Sequence, residues 1–466
     1  MALSGPRSGM TSVAMPFAHK RYATNTTGPW SVKDWRFVVS RGLAKVRRRE
    51  RPAKMRNPAG SQNPAVCIFS LHYPPEPTGN APYSGALAAG LAAAGHQVIA
   101  HVGFPHYPEW KIYDGYAGWQ KVERLKGVEV QRRRHYVPQP PRGVRRLVSE
   151  LSFGLRLISA RWGSPQVVIA LSPPLFSTAL AVVRLRLTPR RPRLIIWVQD
   201  IYSLGMAETG EGGEFAQRIT RWVERHTLRA ADQIVVIHQQ FADFATRELK
   251  VPASKVVVVR NWTHLPPSDA VERTAAKIEL GWPSDVTLAV HTGNMGAKQG
   301  LENIVAAARV ADQRSAPVHF ILVGEGSERQ RLEESAVGIS RLEFVDPLDE
   351  RTFRLALGAA DVLLVNEKPG VSAMAMPSKL TSYFDAGRPI VAATAPGGIT
   401  ASEITAAGAG RIVPAGNAPA LLDAVLALRD APGVAAQYGM NGRRHRKAFL
   451  NEEQAMSAWQ RILREI

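Results

Sequence analysis

TLAVHTGNMGAKQGLENIVAAA, residues 287–308, decides the fold. An apolar run gives way to a turn holding Gly293, Gly296 and Gly300, and an alanine-rich amphipathic stretch follows. Strand, tight turn and helix start in that order are the unit from which a parallel sheet is wound. Downstream the apolar runs recur at 319–326, 342–346, 361–366, 389–394 and 410–416, with helical stretches between them. Upstream a first series runs through 65–73, 167–171, 194–200, 233–238 and 256–260. The chain therefore reads as α/β, with two doubly wound parallel-sheet domains.

The domain reading assigns 1–63 to a basic N-terminal extension, 64–261 to the first domain and 262–285 to a linker. Residues 286–440 form the second domain, and 441–466 form a C-terminal helix. A chain of 466 residues is too long for one compact core. Its single cysteine, Cys67, excludes an internal disulfide framework, fits a reducing compartment and reads as a small core residue. No stretch reads as a membrane span, because prolines split the one of suitable length, 162–183.

The net charge of +20 is unevenly placed. Residues 1–63 carry 13 Lys and Arg against Asp34 and Glu50, and 64–261 carry 25 against 14 acidic residues. The remainder has 21 against 23. Such a distribution suits nucleic acid or an anionic lipid surface. Residues 31–49 place Val32, Trp35, Val39, Leu43 and Val46 at helical spacing among basic residues. This amphipathic helix either lies in a membrane interface or packs on its own protein, unless translation starts at Met55.

In doubly wound sheets ligands bind beyond the carboxyl ends of the strands. There, Lys298 and Gln299 stand just before a helix, after glycines that let backbone approach a ligand. MPSKLTSYFDAGRPIVAAT (376–394) supplies a second strand-to-helix turn, with Ser378 as N-cap and Lys379 on the first turn. A cation at the positive end of a helix is disfavoured. Either Lys379 points into water, or a ligand anion sits there. Two lysines and two helix N-termini in one domain suit a diphosphate. In the first domain, Gly79-Asn80 forms a flexible turn after the first strand, and WVQD ends on Asp200. That carboxylate binds substrate hydroxyls or caps the next segment. No nucleophile elbow, HExxH spacing, GxGxxG fingerprint or Walker loop occurs.

YPPEPTGNAPY, WVQDIYS, VVRNW, TGNMGAKQGLENI, LVGEGSER and MPSKLTSYFDAGRPIVAAT, in that order over 64–466, resemble retaining GT-B glycosyltransferases of family 4. The resemblance is to the colanic-acid-biosynthesis type that moves fucose or related deoxysugars. It implies an acceptor-binding first domain, a nucleotide-sugar-binding second domain, and a last helix that crosses back. It further implies catalytic roles for Asp200, Lys298 and Lys379. Donor contacts fall on Gly79, Asn80, Gly293, Asn294, Gly296, Lys298, Gln299, Gly324, Pro377, Ser378, Lys379, Leu380, Ser382 and Glu403. The family's glutamate pair is replaced by Met374 and Ser382, and its arginine after the strand glycine by Asn294. Ser382 is then the ribose partner, and Glu367 or Glu403 serves the sugar side.

The expected reaction is front-face transfer with retention, from a nucleoside-diphosphate sugar to a lipid-linked or polysaccharide-precursor acceptor. No metal or other cofactor is expected. GDP-fucose and a UDP-linked N-acetylated deoxysugar both remain open as donors. Arg132, Arg133, Arg134, Arg142, Arg145 and Arg146, around the apolar helix 147–158, are expected to rest on anionic inner-leaflet lipid. A sugar-nucleotide 2-epimerase of the same architecture is the alternative enzyme. A nucleic-acid-binding protein ranks lower, because the arginine clusters lack interleaved aromatics.

Overall fold

A computed structural model describes residues 63–77, 79–140, 143–209, 212–262, 271–370 and 379–466. All of these belong to one compact unit. The expected helix at 31–49, together with Arg142, Met374, Pro377 and Ser378, lies outside the described residues.

The first sheet takes its strands from β1 (Val66–Ser70), β2 (Val98–Gly103), β3 (Gln120–Leu125), β4 (Val128–Arg133), β5 (Val167–Ser172), β6 (Arg193–Val198), β7 (Gln233–Val236) and β8 (Val256–Val258). Their order is β3-β4-β2-β1-β5-β6-β7-β8. Every pairing is parallel except β3 with β4. That hairpin escapes the apolar-run reading because β3, QKVERL, is an edge strand with mostly exposed residues. Its turn places Lys126 and Gly127 at positive φ, 48° and 81°, as a two-residue hairpin connection requires.

The second sheet is wholly parallel, in the order β11-β10-β9-β12-β13-β14. Its strands are β9 (Thr287–Thr292), β10 (Val318–Val323), β11 (Leu342–Val345), β12 (Val362–Asn366), β13 (Ile390–Ala393) and β14 (Gly410–Val413). Strands β9 and β12 are fully buried, as helices on both faces demand. The chain reverses its direction of winding between β1 and β5 in one sheet, and between β9 and β12 in the other. Each reversal opens a crevice at the carboxyl ends.

Two helices close the molecule. Pro432–Phe449 packs on the helix Lys379–Ala386, where Gly439 is needed because a Cβ there would lie 2.1 Å from Gly387 O. Glu452–Glu465 then lies on the first domain, with Trp459 buried against Trp197 at 5.1 Å between ring centroids.

Two of the arginines expected on lipid are interior. Arg132 is 1% exposed, paired with Glu123 and with Pro74 O, and lies over the rings of Tyr73 and Tyr116. Arg133 is buried beside Gln131 and His101, and burial lowers its pKa to about 10. Both sit on β4 and face opposite ways: the hairpin and the loops after β1 and β2 cover Arg132, while Arg133 lies among Gln131 and His101 on the other face, a setting that the run of three arginines did not reveal. Arg134 and Arg145 are exposed. Arg146 is also exposed, 5.8 Å from the Tyr202 ring, and its charge reaches Asp200.

Candidate functional site

The loop after β9 is shaped by backbone contact. Gly293 has φ +114°, and Gly324, at φ +135° after β10, abuts it so closely that a Cβ would lie 2.2 Å from Gly293 O. Gly326 likewise meets the backbone of Met295. The far end of the loop is a single 3-10 turn, Ala297–Gln299, whose Gln299 side chain accepts from the Gly296 N–H at 3.2 Å. Asn366, the last residue of β12, donates to the carbonyls of Gln299 and Gly300, both at 2.7 Å, and accepts from Asn303 at 2.8 Å. Lys368 N–H donates to Lys298 O at 2.9 Å. The exposed Lys298 thus rides on a turn bolted to the end of the neighbouring strand.

Lys379 opens its helix beside the start of the same loop. Its Nζ lies 3.0 Å from His291 Nε2, and 3.7 Å from where a Gly293 Cβ would stand. His291 Nδ1 donates to Leu364 O at 3.1 Å, so Nε2 carries the lone pair and Lys379 is the donor. Burial lowers the Lys379 pKa to about 7, against a smaller opposing pull from Glu367. The same burial, with the lysine charge beside it, holds His291 well below the usual histidine range. Near neutrality this amine is divided between its charged and neutral forms. His291 was not picked out from the sequence, although the HTG that ends the β9 run was its signal.

Glu367 and Glu403, the sugar-side candidates, already have partners. Glu367 accepts from Thr394 and from Thr400, the latter at 2.5 Å. Glu403 is fully buried and accepts both guanidinium branches of Arg260, at 2.8 and 2.7 Å, together with His445 at 2.8 Å. Although burial opposes it, these partners and His238 hold its pKa below the usual carboxylate range. Arg260 follows β8, Glu403 lies in the helix Ile399–Ala407, and His445 lies in Pro432–Phe449. Glu403 is therefore a clamp between domains rather than a free ligand for a sugar. Leu380 and Ser382 are both buried on the first turns of the Lys379 helix, and Asn294 is exposed at the loop.

In the first domain, Asp200 follows β6, and burial raises its pKa to about 7 against the charges of Lys298 and Arg146. Lys298, on the loop after β9, thus lies near enough for its charge to act on Asp200. Gln199, the residue before it, is turned into the fold. Its amide is buried and pairs reciprocally with Asn261, at 2.7 and 3.3 Å. Asn80 starts the helix Ala81–Ala93, and Gly79 lies against the Tyr107 ring. Next to them, Glu76 accepts from His72 Nδ1 at 2.8 Å and from the N–H groups of His106 and Tyr107 at 2.7 and 3.0 Å. His72, Glu76 and His106 bring potential metal-ligand atoms within 4.8 Å of one another. These three bonds to the Glu76 carboxylate brace the loops after β1 and β2 against each other. Burial and the nearby His72 lower the His106 pKa to about 4.

The comparisons with known proteins agree with this layout. Residues 78–262 match the Glycosyl transferase 4-like domain, and residues 287–430 match Glycosyl transferases group 1. The chain is 30% identical over 337 residues to the putative colanic acid biosynthesis glycosyl transferase WcaI of Escherichia coli, spanning 69% of this chain and 81% of that protein. It is 25% identical over 258 residues to the probable glycosyltransferase WbjE of Pseudomonas aeruginosa, spanning 54% and 62% respectively. Among solved structures, sucrose-phosphate synthase from Thermosynechococcus elongatus superposes with a TM-score of 0.67 at 21% identity, covering 86% of this chain and 98% of that one. Anabaena HepE in complex with UDP gives 0.64 at 13% identity, covering 86% and 100%. These two likenesses concern the fold, which is GT-B.

Proposed function

Because the chain belongs to the GT-B glycosyltransferases, with a 4-like domain followed by a group 1 domain, we propose that it transfers a sugar from a nucleoside diphosphate held by the second domain. The acceptor is a lipid-linked or polysaccharide precursor held by the first domain, in cell-surface glycan synthesis. The observation that carries this reading is Lys379, a half-buried amine 3.0 Å from an imidazole at the carboxyl end of β9, beside the loop that bears Lys298.

Loss of a nucleoside diphosphate builds negative charge on the β-phosphate oxygen. Ammonium groups and N–H groups fixed around it stabilise the transition state more than the ground state. In this reading the charge comes from the chain itself and transfer is independent of metal. Front-face attack retains configuration, with the leaving phosphate accepting the acceptor's proton. Asp200, half-protonated near neutrality, orients an acceptor or donor hydroxyl. The inner face of the membrane, with anionic lipid, is the proposed place of work.

The test incubates the protein with GDP-, UDP- and dTDP-sugars, with and without acceptor. Sugar transfer with a retained anomeric centre is expected from one donor. Conversion of free sugar nucleotide without acceptor would instead identify the 2-epimerase, and no reaction or binding with any donor would reject both.

A further inference from the structure

The helix Gly213–Arg229 is built inside out. Its buried side chains are Thr220, Glu224, Thr227 and Leu228, so three of the four facing inward are polar. Glu224 accepts from the N–H groups of Tyr202 and Ser203, at 2.7 and 3.1 Å, holding the start of the preceding helix. The large apolar residues face outward: Phe215 is 77% exposed, Ile219 44% and Trp222 61%. Spaced at i, i+4 and i+7, they form one stripe on the solvent face. Exposed His226 stacks on Trp222 at 4.3 Å and continues it. An apolar stripe turned away from its own core marks a surface that something else covers.

Charge tells what covers it. Arg218, Arg221 and Arg229 are exposed on the flank of the stripe, and the adjoining helix Leu175–Arg186 and its end expose Val183 and Leu187 with Arg186 and Arg190. Arg218 and Arg221 also line a cavity of about 300 Å3 together with Ser203 and Phe244. Their present partners are exposed carboxylates, Glu214 at 3.6 Å and Glu248 at 2.7 Å. Pairs of that kind contribute little in water and are readily exchanged for phosphate. We propose that this helix lies in the surface of an anionic phospholipid bilayer, with Phe215, Ile219 and Trp222 at the acyl boundary and the arginines on lipid phosphates. The proposal deepens the lipid part of the function above and moves the contact away from Arg132 and Arg133.

Cys67 is buried and is the only cysteine, so an introduced cysteine can be labelled selectively. The full chain carrying Ile219→Cys, labelled with an environment-sensitive fluorophore, is mixed with vesicles of phosphatidylcholine alone or with phosphatidylglycerol. Emission should shift blue, and be quenched by a bilayer-embedded quencher, only on anionic vesicles. A label at Val337→Cys, exposed in the second domain, should stay aqueous. Phe215→Ser/Trp222→Ser should lower vesicle affinity at least tenfold, while nucleotide-induced thermal shifts persist. Protein that floats with the residue-219 label still in water, or that does not float, would overturn the proposal. So would a concentration-dependent blue shift without vesicles, which would make a second copy the occupant. Failure of sugar transfer leaves these readouts untouched, so the two readings fail separately.

Discussion

A lysine whose pKa has fallen to about 7 is a sensor of its own ligand. In the free protein Lys379 is a mixture of charged and neutral forms near neutrality. Binding a diphosphate favours the charged form and raises its pKa, so binding takes up a proton. The sign follows directly. Below pH 7 the lysine is charged before and after binding, and affinity is level. Above pH 7 affinity falls, by up to about tenfold per unit, until the bound lysine also titrates. Calorimetric titration with a nucleoside-diphosphate sugar from pH 6 to 9 checks this, because its diphosphate does not titrate there. Affinity that stays constant would place Lys379 away from the phosphates. The lysine itself was legible from its position at a helix start. The imidazole that fixes it was not, since Lys379 and His291 are 88 positions apart.

Among elements, the loop after β9 depends on what its neighbours lack. Gly324→Ala puts a methyl into the Gly293 carbonyl at a φ that L-residues avoid, at a cost of about 2 kcal/mol or more. The unfolding midpoint should drop, and the thermal shift produced by sugar nucleotides should vanish. Gly338→Ala, at φ +82° with nothing within 4 Å, is the comparison: it should cost about 1 kcal/mol of strain and leave that shift intact. Equal nucleotide responses in the two variants would show that the loop's shape does not matter to binding. The apolar strands were readable because buried parallel strands are nearly continuous runs. The β3–β4 hairpin was not, since its exposed edge strand scatters Val122 and Leu125 among polar residues before a Lys-Gly turn. The helix Gly213–Arg229 has clear apolar periodicity, but periodicity does not say which way the stripe faces.

For the whole molecule, the two domains are joined at Glu403. Arg260 is 143 positions away in the chain, a separation no local pattern betrays, and the sequence reading accordingly placed Glu403 beside the sugar. Glu403→Gln leaves a mostly buried guanidinium without its counter-charge and should cost about 2–3 kcal/mol. Because its folded pKa lies below the usual value, the carboxylate's contribution is present above the ordinary carboxylate range and is lost as pH falls. The gap in melting temperature between wild type and variant should be widest near neutrality and close in acid. A gap that does not vary with pH would contradict the clamp.

The account depends most on Lys298 and Lys379 meeting one diphosphate, and a mutant cycle of nucleotide binding tests that most directly. Calorimetry would compare wild type, Lys298→Ala, Lys379→Ala and the double variant, each with the nucleoside diphosphate and with the bare nucleoside. Each single change should weaken diphosphate binding about tenfold or more, and the double loss should depart from the sum because both cations act on one ligand. Nucleoside affinity should stay the same in all four proteins. Diphosphate affinity unmoved by either substitution, or lost in step with nucleoside affinity, would contradict the account.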